Sequence, residues 1–217
     1  MVSDEFKLSP GRPLVICDAD EVLVQFLAGL ERFLLRRNRK LVLKSYAIHG
    51  NVLDTVTDET VTHDEVTQLL KDFFAHDTER LEPVPGAAAA LGELAKSAQI
   101  VILTNLPETS RAARRAHLAS HGLDYPVIAG NGPKGPIVRQ LIEGIATPIV
   151  FIDDLPPHLA SVAEEAPRVH RLHFVADRRL ARLLEPAPAA HRRIDDWPTA
   201  RVWIESVIAA GEHAHRR

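Results

Sequence analysis

The stretch Leu14–Leu23, which reads LVICDADEVL, decides how the rest of the chain is interpreted. Leu14 to Cys17 form a short continuous apolar run, typical of a strand buried on both faces in the middle of a parallel sheet. Asp18 and Asp20 follow the run directly. Because ligands of open α/β sheets lie outside the carboxyl ends of the strands, we expect both carboxylates at the mouth of a crevice. Buried carboxylates are costly unless a cation or hydrogen-bond donors contact them. The alternative to a ligand site is a strand that simply ends in an acidic turn.

The composition favours a soluble cytoplasmic protein. The 217 residues are 46% hydrophobic, enough for the core of one domain, or of one domain with a small insertion. A net charge of −3 with interspersed signs gives no electrostatic reason to expect a nucleic acid polymer or a membrane surface as partner. The single cysteine, Cys17, suits a reducing compartment. Residues 1–13 lack the apolar stretch of a signal peptide, and no apolar run approaches the ~20 residues of a membrane span.

Helical periodicity dominates residues 24–80. Apolar side chains recur at helical spacing over 24–37, and the basic cluster 36–40 that follows suits the carboxyl end of a helix better than an anion site. The pattern Thr62-His63-Asp64-Glu65 is a capping box that opens a second amphipathic helix. Residues 41–60 show no clear periodicity. This stretch is predicted to be a mostly helical insertion after the first strand.

Strands and helices alternate beyond Pro83, with residues 1–12 forming a short arm before the first strand. Apolar runs predict strands at 99–103, 125–129, 148–152 and 169–175, and intervening patterns predict helices near 87–95, 111–120, 137–144, 159–165 and 199–209. This alternation predicts an α/β fold: a Rossmann-like three-layer α/β/α core with a parallel sheet.

Polar side chains cluster where the predicted strands end. The candidates are Asp18 and Asp20, Thr104 and Asn105, Lys134 in a loop, and Asp153 and Asp154. Each of these residues alone is weak evidence for a functional site, since such residues also form turns and helix caps. Two acidic clusters in one crevice would repel each other unless a divalent cation lies between them, and hard oxygen ligands suit Mg²⁺. A lysine and a hydroxyl beside the metal suit the oxygens of a phosphoryl group.

The ordered set of motifs resembles that of the haloacid dehalogenase (HAD) superfamily of phosphohydrolases. Its four motifs are hhhD-x-D-x-V at Val15–Val22, hhhh-T at Ile100–Thr104, Lys134 ahead of a helix, and hhh-DD at Val150–Asp154. They cover the chain from about residue 14 to 160 in the family's order. A receiver domain also combines aspartates, a threonine and a lysine, but it opens with its acidic pair and ends with the lysine. The order here excludes that fold.

The resemblance implies roles for the first motif. Asp18 matches the nucleophile that forms an aspartyl-phosphate and also binds the metal. Asp20 matches the general acid that protonates the leaving oxygen and then activates water, and its backbone carbonyl matches a metal ligand. Branches of the family that cleave carbon–halogen or carbon–phosphorus bonds lack this second aspartate, so Asp20 favours phosphate ester hydrolysis. Glu21 replaces the glycine commonest there, which puts the local turn in doubt.

The resemblance also assigns the other motifs. Thr104 matches the hydroxyl that binds the phosphoryl group, with Asn105 beside it, and Lys134 matches the cation that steadies nucleophile and phosphate. Asp153 matches a metal ligand. Asp154 binds the metal directly or through a water molecule, or it orients the other ligands. The implied cofactor is Mg²⁺.

By the same resemblance, the insertion is a small α-helical type 1 cap. We expect a core domain of residues 1–22 and 82–217 and a cap domain of residues 23–81. A lid of this kind excludes water and supplies specificity contacts, and it goes with small substrates.

Four residues are candidates for substrate contacts: Phe26, Tyr46, His49 and Leu106. Phe26 lies eight positions after Asp18, where deoxyribonucleotidases of the family have a base-stacking phenylalanine, and those enzymes also end the fourth motif in Asp-Asp. The simpler interpretation is that Phe26 packs within the cap.

The expected function is that of a magnesium-dependent phosphatase acting on a small phosphorylated metabolite, as a monomer or homodimer. Three alternatives stay open: a phosphomutase acting on a sugar phosphate, a 5′-deoxyribonucleotidase-like enzyme, and a binding protein that keeps the pocket without turnover.

Overall fold

A six-stranded parallel sheet forms the centre of the fold. The computed structural model describes residues 8–215, so most of the predicted N-terminal arm (residues 1–7) lies outside the described residues. The strand order is β5-β4-β1-β6-β7-β8, while β2 and β3 form a separate antiparallel pair. The strands are β1 (Leu14–Cys17), β2 (Arg39–Leu41), β3 (Val52–Asp54), β4 (Gln99–Asn105), β5 (Val127–Gly130), β6 (Ile149–Asp153), β7 (His170–His173) and β8 (Arg192–Arg193).

Helices cover both faces of this sheet. In chain order the helices are α1 (Phe26–Leu35) and α2 (His63–His76), which lie in the insertion between β1 and β4, and then α3 (Ala87–Leu94), α4 (Arg111–Ser120), α5 (Gly135–Leu141), α6 (Pro156–Glu165), α7 (Arg178–Leu183) and α8 (Trp197–His215). Short 3₁₀ turns lie at Thr78–Arg80 and Glu108–Ser110. No helix within residues 8–215 is both long and apolar enough to cross a lipid bilayer.

The central strand β1 is fully buried, as its apolar run predicts. Val15 and Cys17 face one apolar cluster, which includes side chains of α3 and α8. Leu14 and Ile16 face a second cluster, which includes side chains of α5 and α6. Alternate side chains of β1 therefore pack into apolar clusters on opposite faces of the sheet. The predicted α/β core, with a parallel sheet covered on both faces, is confirmed.

The insertion between β1 and β4 is not purely helical. Its helices α1 and α2 flank an antiparallel hairpin in which Lys40 of β2 pairs with Leu53 of β3. The sequence did not predict this hairpin, because each strand has only three residues and β2 carries two charged side chains. The predicted capping of α2 is confirmed, since Thr62 Oγ1 accepts a hydrogen bond from the backbone N–H of Glu65 at 3.3 Å.

The chain leaves the core and returns to it through two paired linkers. The N–H of Gln25 donates to the carbonyl of Glu82 (2.9 Å), and the N–H of Val84 donates to the carbonyl of Leu23 (2.8 Å). The insertion is thus attached only a few residues beyond Asp18, beside the carboxyl end of β1.

The first turn of α8 anchors the segment that follows Asp20. Trp197 is fully buried, and its indole Nε1 donates to the carbonyl of Val22 at 2.8 Å. The ring also packs on Phe174, with centroids 5.1 Å apart. The end of the chain therefore stabilises the turn near its beginning.

Trp197→Phe should destabilise the fold, because it removes the donor and leaves the buried Val22 carbonyl without it. We expect the free energy of unfolding to fall by roughly 1–3 kcal/mol in urea denaturation. Trp203→Phe, at a partly buried position on the same helix, is the matched control and should cost less. Equal losses in the two variants would show that the Trp197 hydrogen bond contributes nothing specific.

Candidate active site

The site lies at the carboxyl ends of neighbouring strands. β1 lies between β4 and β6, and the N–H of Asp18 donates to the carbonyl of Ile152 at 2.9 Å, which continues the strand register. This register brings Asp18 beside Asp153, although the two are far apart in the chain. Asp18, Asp153 and Asp154 are all buried, and each offers one carboxylate oxygen within 4.8 Å of the others.

Lys134 joins two of these carboxylates. Its Nζ lies 2.7 Å from Asp18 Oδ1 and 2.7 Å from Asp153 Oδ2, and its side chain is 1% exposed. The lysine directly precedes α5, which approaches α6 closely at Gly135, where a Cβ atom would lie 2.3 Å from the carbonyl oxygen of Ser161. Only glycine fits there without displacement, so helix packing fixes the place from which Lys134 reaches the carboxylates.

Burial raises the pKa of all three carboxyl groups. The pKa of Asp18 is raised to about 6 by burial, an effect that Lys134 opposes and Asp153 increases. Burial likewise raises the pKa of Asp153, and it holds the pKa of Asp154 well above its usual range, with repulsion from Asp153 adding to it. Burial alone would lower the pKa of Lys134, but Asp153 and Asp18 outweigh it and the pKa is raised. The lysine is therefore charged at neutral pH.

The donor set fits a divalent cation. If all three buried carboxylates were ionised beside one charged lysine, two negative charges would be left in excess. Hard oxygen donors in a small buried cluster suit Mg²⁺. Asp18, Asp153 and Asp154 are the residues that would hold such an ion.

Asp20 is engaged in a different contact. Its Oδ1 accepts a hydrogen bond from Arg114 Nη1 at 2.7 Å, and the two side chains form an ion pair. Arg114 lies on α4 and is 2% exposed, although the sequence analysis did not identify it. The available signal was its position four residues before Leu118, on the apolar face of that helix.

Thr104 and Asn105 lie at the end of β4, next to β1. The Thr104 hydroxyl is fully buried and has no hydrogen-bond partner among the described residues. Asn105 donates through Nδ2 to the carbonyl of Gly132 (2.9 Å), in the loop that leads to Lys134. Buried hydroxyls are usually hydrogen-bonded, so the Thr104 hydroxyl is available to a ligand atom.

His158 is a neighbour that the sequence analysis missed. Its Nε2 lies 3.4 Å from Asn105 Nδ2, and because that amide nitrogen donates, the imidazole accepts. Burial, followed by the charge of Lys134, lowers the pKa of His158 to about 4, so the ring is neutral at pH 7. Its position in the first turn after Asp153-Asp154 was the only signal in the sequence.

Glu21 adopts the turn after β1, although glycine is the commonest residue there in the family that the motifs resemble. The residue adopts the left-handed conformation at φ 57°, which glycine would adopt with less strain. Its buried carboxylate accepts hydrogen bonds from the N–H groups of Leu27 (2.6 Å) and Asp177 (3.0 Å). Burial raises the pKa of Glu21 to about 7. The side chain therefore links the start of α1 to the start of α7, a compensation that glycine lacks.

Phe26 packs inside the insertion. Its ring contacts Phe73 edge-on, with centroids 5.4 Å apart, and stacks on Phe74 at 5.8 Å. These contacts favour the simpler interpretation of Phe26 as a packing residue.

The other three substrate-contact candidates are dispersed. His49 stacks on His63 with centroids 4.0 Å apart and lines a cleft of about 350 Å³ with Lys71. Tyr46 is 44% exposed, whereas Leu106 is buried and its N–H donates to the carbonyl of Gly130. Contacts of these residues with substrate stay predictions.

Three of the four basic residues in the cluster 36–40 form ion pairs within the insertion. Arg39 pairs with Asp54 (2.5 Å) and Glu65 (2.8 Å). Arg36 pairs with Asp77 and Lys40 with Asp58. These ion pairs explain the cluster without an anionic ligand.

Comparison by sequence finds no matching protein-family model and no matching curated protein. Comparison of structures finds close similarity of fold. A haloacid dehalogenase-like hydrolase of Streptococcus pneumoniae superposes with a TM-score of 0.62 at 13% identity, covering 89% of this chain and 98% of that one. A HAD family hydrolase of Deinococcus radiodurans with bound phosphate and sodium gives 0.61 at 17% identity, covering 92% and 97%.

A third structure, described as the magnesium-bound HAD-hydrolase YfnB of Bacillus subtilis, gives a TM-score of 0.60 at 16% identity and covers 90% of this chain and 99% of that one. The chain therefore has the fold of the haloacid dehalogenase-like hydrolases, as the resemblance of its motifs predicts.

Magnesium should stabilise the protein more at neutral pH than at acid pH. The raised carboxyl pKa values mean that the metal-free folded state keeps protons that the unfolded state has lost. That contribution to stability is complete below about pH 4 and is lost as pH rises through the folded pKa values, about 6 for Asp18. Mg²⁺ binds the ionised carboxylates, and at 100 times its Kd it adds about 2.7 kcal/mol.

The measurement is the shift in Tm on adding MgCl₂, at about pH 5 and about pH 7.5, against NaCl of equal ionic strength. We expect the shift to be larger at the higher pH and to vanish in Asp153→Asn, while Asp124→Asn, which changes an exposed acid, keeps it. A shift that is independent of pH, or that persists in Asp153→Asn, would remove this cluster as the metal site.

Proposed function

We propose that this protein is a magnesium-dependent phosphatase of the haloacid dehalogenase superfamily, and that it hydrolyses a small phosphomonoester through an aspartyl-phosphate at Asp18. One observation carries the proposal: Lys134 Nζ lies 2.7 Å from both Asp18 and Asp153, inside a buried cluster that also includes Asp154. A structural ion pair would need one carboxylate, and the excess of acids supports a metal-assisted site.

In the first half-reaction, Asp18 attacks phosphorus. Lys134 holds Oδ1, which leaves Oδ2 to form the new bond to phosphorus. The bond between phosphorus and the ester oxygen breaks, and that oxygen takes the proton of the Asp20 carboxyl group. The Lys134 ammonium and the Thr104 hydroxyl are the groups proposed to meet the phosphoryl oxygens.

In the second half-reaction, a water molecule attacks the same phosphorus atom. The Asp20 carboxylate takes a proton from the water, and the bond between phosphorus and Asp18 breaks. Inorganic phosphate leaves, and Asp18 returns as a carboxylate while Asp20 is protonated again for the next cycle. Mg²⁺, when bound by the three aspartates, would lower the repulsion between the phosphoryl group and the attacking carboxylate.

We further propose that residues 23–81 act as the cap and residues 1–22 and 82–217 as the core. The paired linkers support this division, since the chain leaves the core and returns to it through them, beside Asp20. The magnesium-bound relative is described as showing interdomain movement, and a cap that closes over the site would exclude water and admit small phosphorylated metabolites. The buried free thiol of Cys17 supports a cytoplasmic location.

Asp18→Asn should abolish phosphatase activity, because the amide is a poor nucleophile of nearly the same shape. We expect hydrolysis of p-nitrophenyl phosphate with MgCl₂ to fall by roughly three orders of magnitude or more. Asp124→Asn, which removes an exposed carboxylate, serves as the control and should keep full activity.

Retention of hydrolysis in Asp18→Asn would contradict the mechanism. If the mechanism holds, hydrolysis of a panel of nucleotides and sugar phosphates by the wild-type protein identifies the substrate. Isomerisation of a sugar phosphate that requires a bisphosphate, without release of inorganic phosphate, would replace the phosphatase with a phosphomutase.

A further inference from the structure

We propose that Arg114 is a positioning residue that holds the Asp20 carboxyl group in place for proton delivery to the leaving oxygen. This inference rests on the proposed phosphatase function and adds to it a residue outside the four sequence motifs. Its starting point is the ion pair between Arg114 Nη1 and Asp20 Oδ1 at 2.7 Å.

The burial of Arg114 shows that this contact is not a surface salt bridge. The arginine side chain is 2% exposed and that of Asp20 is 18% exposed. A buried guanidinium is costly unless it is paired. Within residues 8–215, Arg114 Nη2 is buried without a hydrogen-bond partner, so the hydrogen bonding of the guanidinium is incomplete. If Arg114 only stabilised the fold, we would expect both terminal nitrogens, Nη1 and Nη2, to have hydrogen-bond partners.

The helix that carries Arg114 is well placed to act as a support. α4 follows β4, whose end carries Thr104, and its Arg114 side chain reaches the turn that carries Asp20. One turn further along, His117 donates from Nε2 to the carbonyl of Leu81 (2.9 Å), at the end of the insertion. The same helix therefore contacts both the proposed acid and the segment through which the cap returns to the core.

Orientation matters because proton transfer is short-ranged. A general acid works only within hydrogen-bond reach of the oxygen that it protonates, and a misplacement of about 1 Å can cost 10²-fold in rate. An aspartate on a turn has several rotamers, and an ion pair with a guanidinium held on a helix favours the rotamer that makes the contact. Arg114 thus acts through Asp20 and does not itself touch the reacting atoms.

The consequence depends on the leaving group. As the bond from Asp18 to phosphorus forms and the ester bond breaks, an alkoxide leaving oxygen needs the proton of Asp20. A p-nitrophenolate leaves readily without one. Loss of the correct orientation should therefore slow alkyl phosphates far more than aryl phosphates, whereas general damage to the site would slow both alike.

The experiment compares Arg114→Met and Arg114→Lys with the wild-type protein in the presence of MgCl₂. The readout is kcat/KM for p-nitrophenyl phosphate and for an alkyl phosphate that the wild-type protein hydrolyses, since kcat/KM reports the step in which the ester bond breaks. Arg115→Met is the matched control, because Arg115 is the next residue on the helix and is 59% exposed.

For Arg114→Met we expect kcat/KM on the alkyl phosphate to fall roughly 10- to 100-fold, part of the contribution of a general acid. On the aryl phosphate, the change should stay within about threefold. For Arg114→Lys, we expect a kcat/KM on the alkyl phosphate between those of the wild-type protein and Arg114→Met. If Arg114→Met does not fold, Arg114→Lys supplies the comparison of losses on the two substrates. Arg115→Met should leave both values unchanged.

Equal losses on the two substrates, or no loss on either, would overturn the assignment of Arg114 while leaving the phosphatase proposal intact. A wild-type protein that hydrolyses neither p-nitrophenyl phosphate nor any alkyl phosphate tested would instead overturn the proposed function, and the role of Arg114 with it.

Discussion

Unbalanced charge at the end of β1 is the constraint on which the site depends. Three buried carboxylates lie together, and Lys134, which pairs with two of them, can balance only one negative charge. Burial raises their pKa values, and a divalent cation is the simplest partner that would return them to the ionised form. The charge states of the proposed nucleophile, metal ligands and phosphate-binding lysine therefore depend on one another.

The order of the strands makes this crowding possible. β1 lies between β4 and β6, so the carboxyl ends of three strands meet at one edge although their residues are distant in sequence. Several contacts then fix the turn beyond β1. Trp197 bonds the carbonyl of Val22, Glu21 joins two helix starts, and Arg114 pairs with Asp20. These contacts join the acidic turn to α1, α4, α7 and α8.

The sequence predicted the core better than the supports of the site. Fully apolar strands and regular helices carry their own periodicity, so β1, α4 and the parallel sheet could be predicted, as could the aspartates at the strand ends. The hairpin of the insertion could not, because its pairing depends on contacts between short charged strands. Arg114 and His158 were missed for a similar reason: only the fold shows that one is buried against Asp20 and the other lies beside Asn105. Glu21 shows the opposite case, in which an unfavourable local residue is accommodated by distant backbone donors.

The most direct measurement is a crystal structure of the protein grown with MgCl₂ and beryllium fluoride, which mimics an aspartyl-phosphate. The account predicts beryllium bonded to the Asp18 carboxylate, a magnesium ion held by Asp18 and Asp153, and fluorine atoms in contact with Thr104 Oγ1 and Lys134 Nζ. Beryllium fluoride bound elsewhere, or a metal ion that leaves Asp18 uncoordinated, would contradict the claim that these carboxylates form one phosphoryl-transfer site.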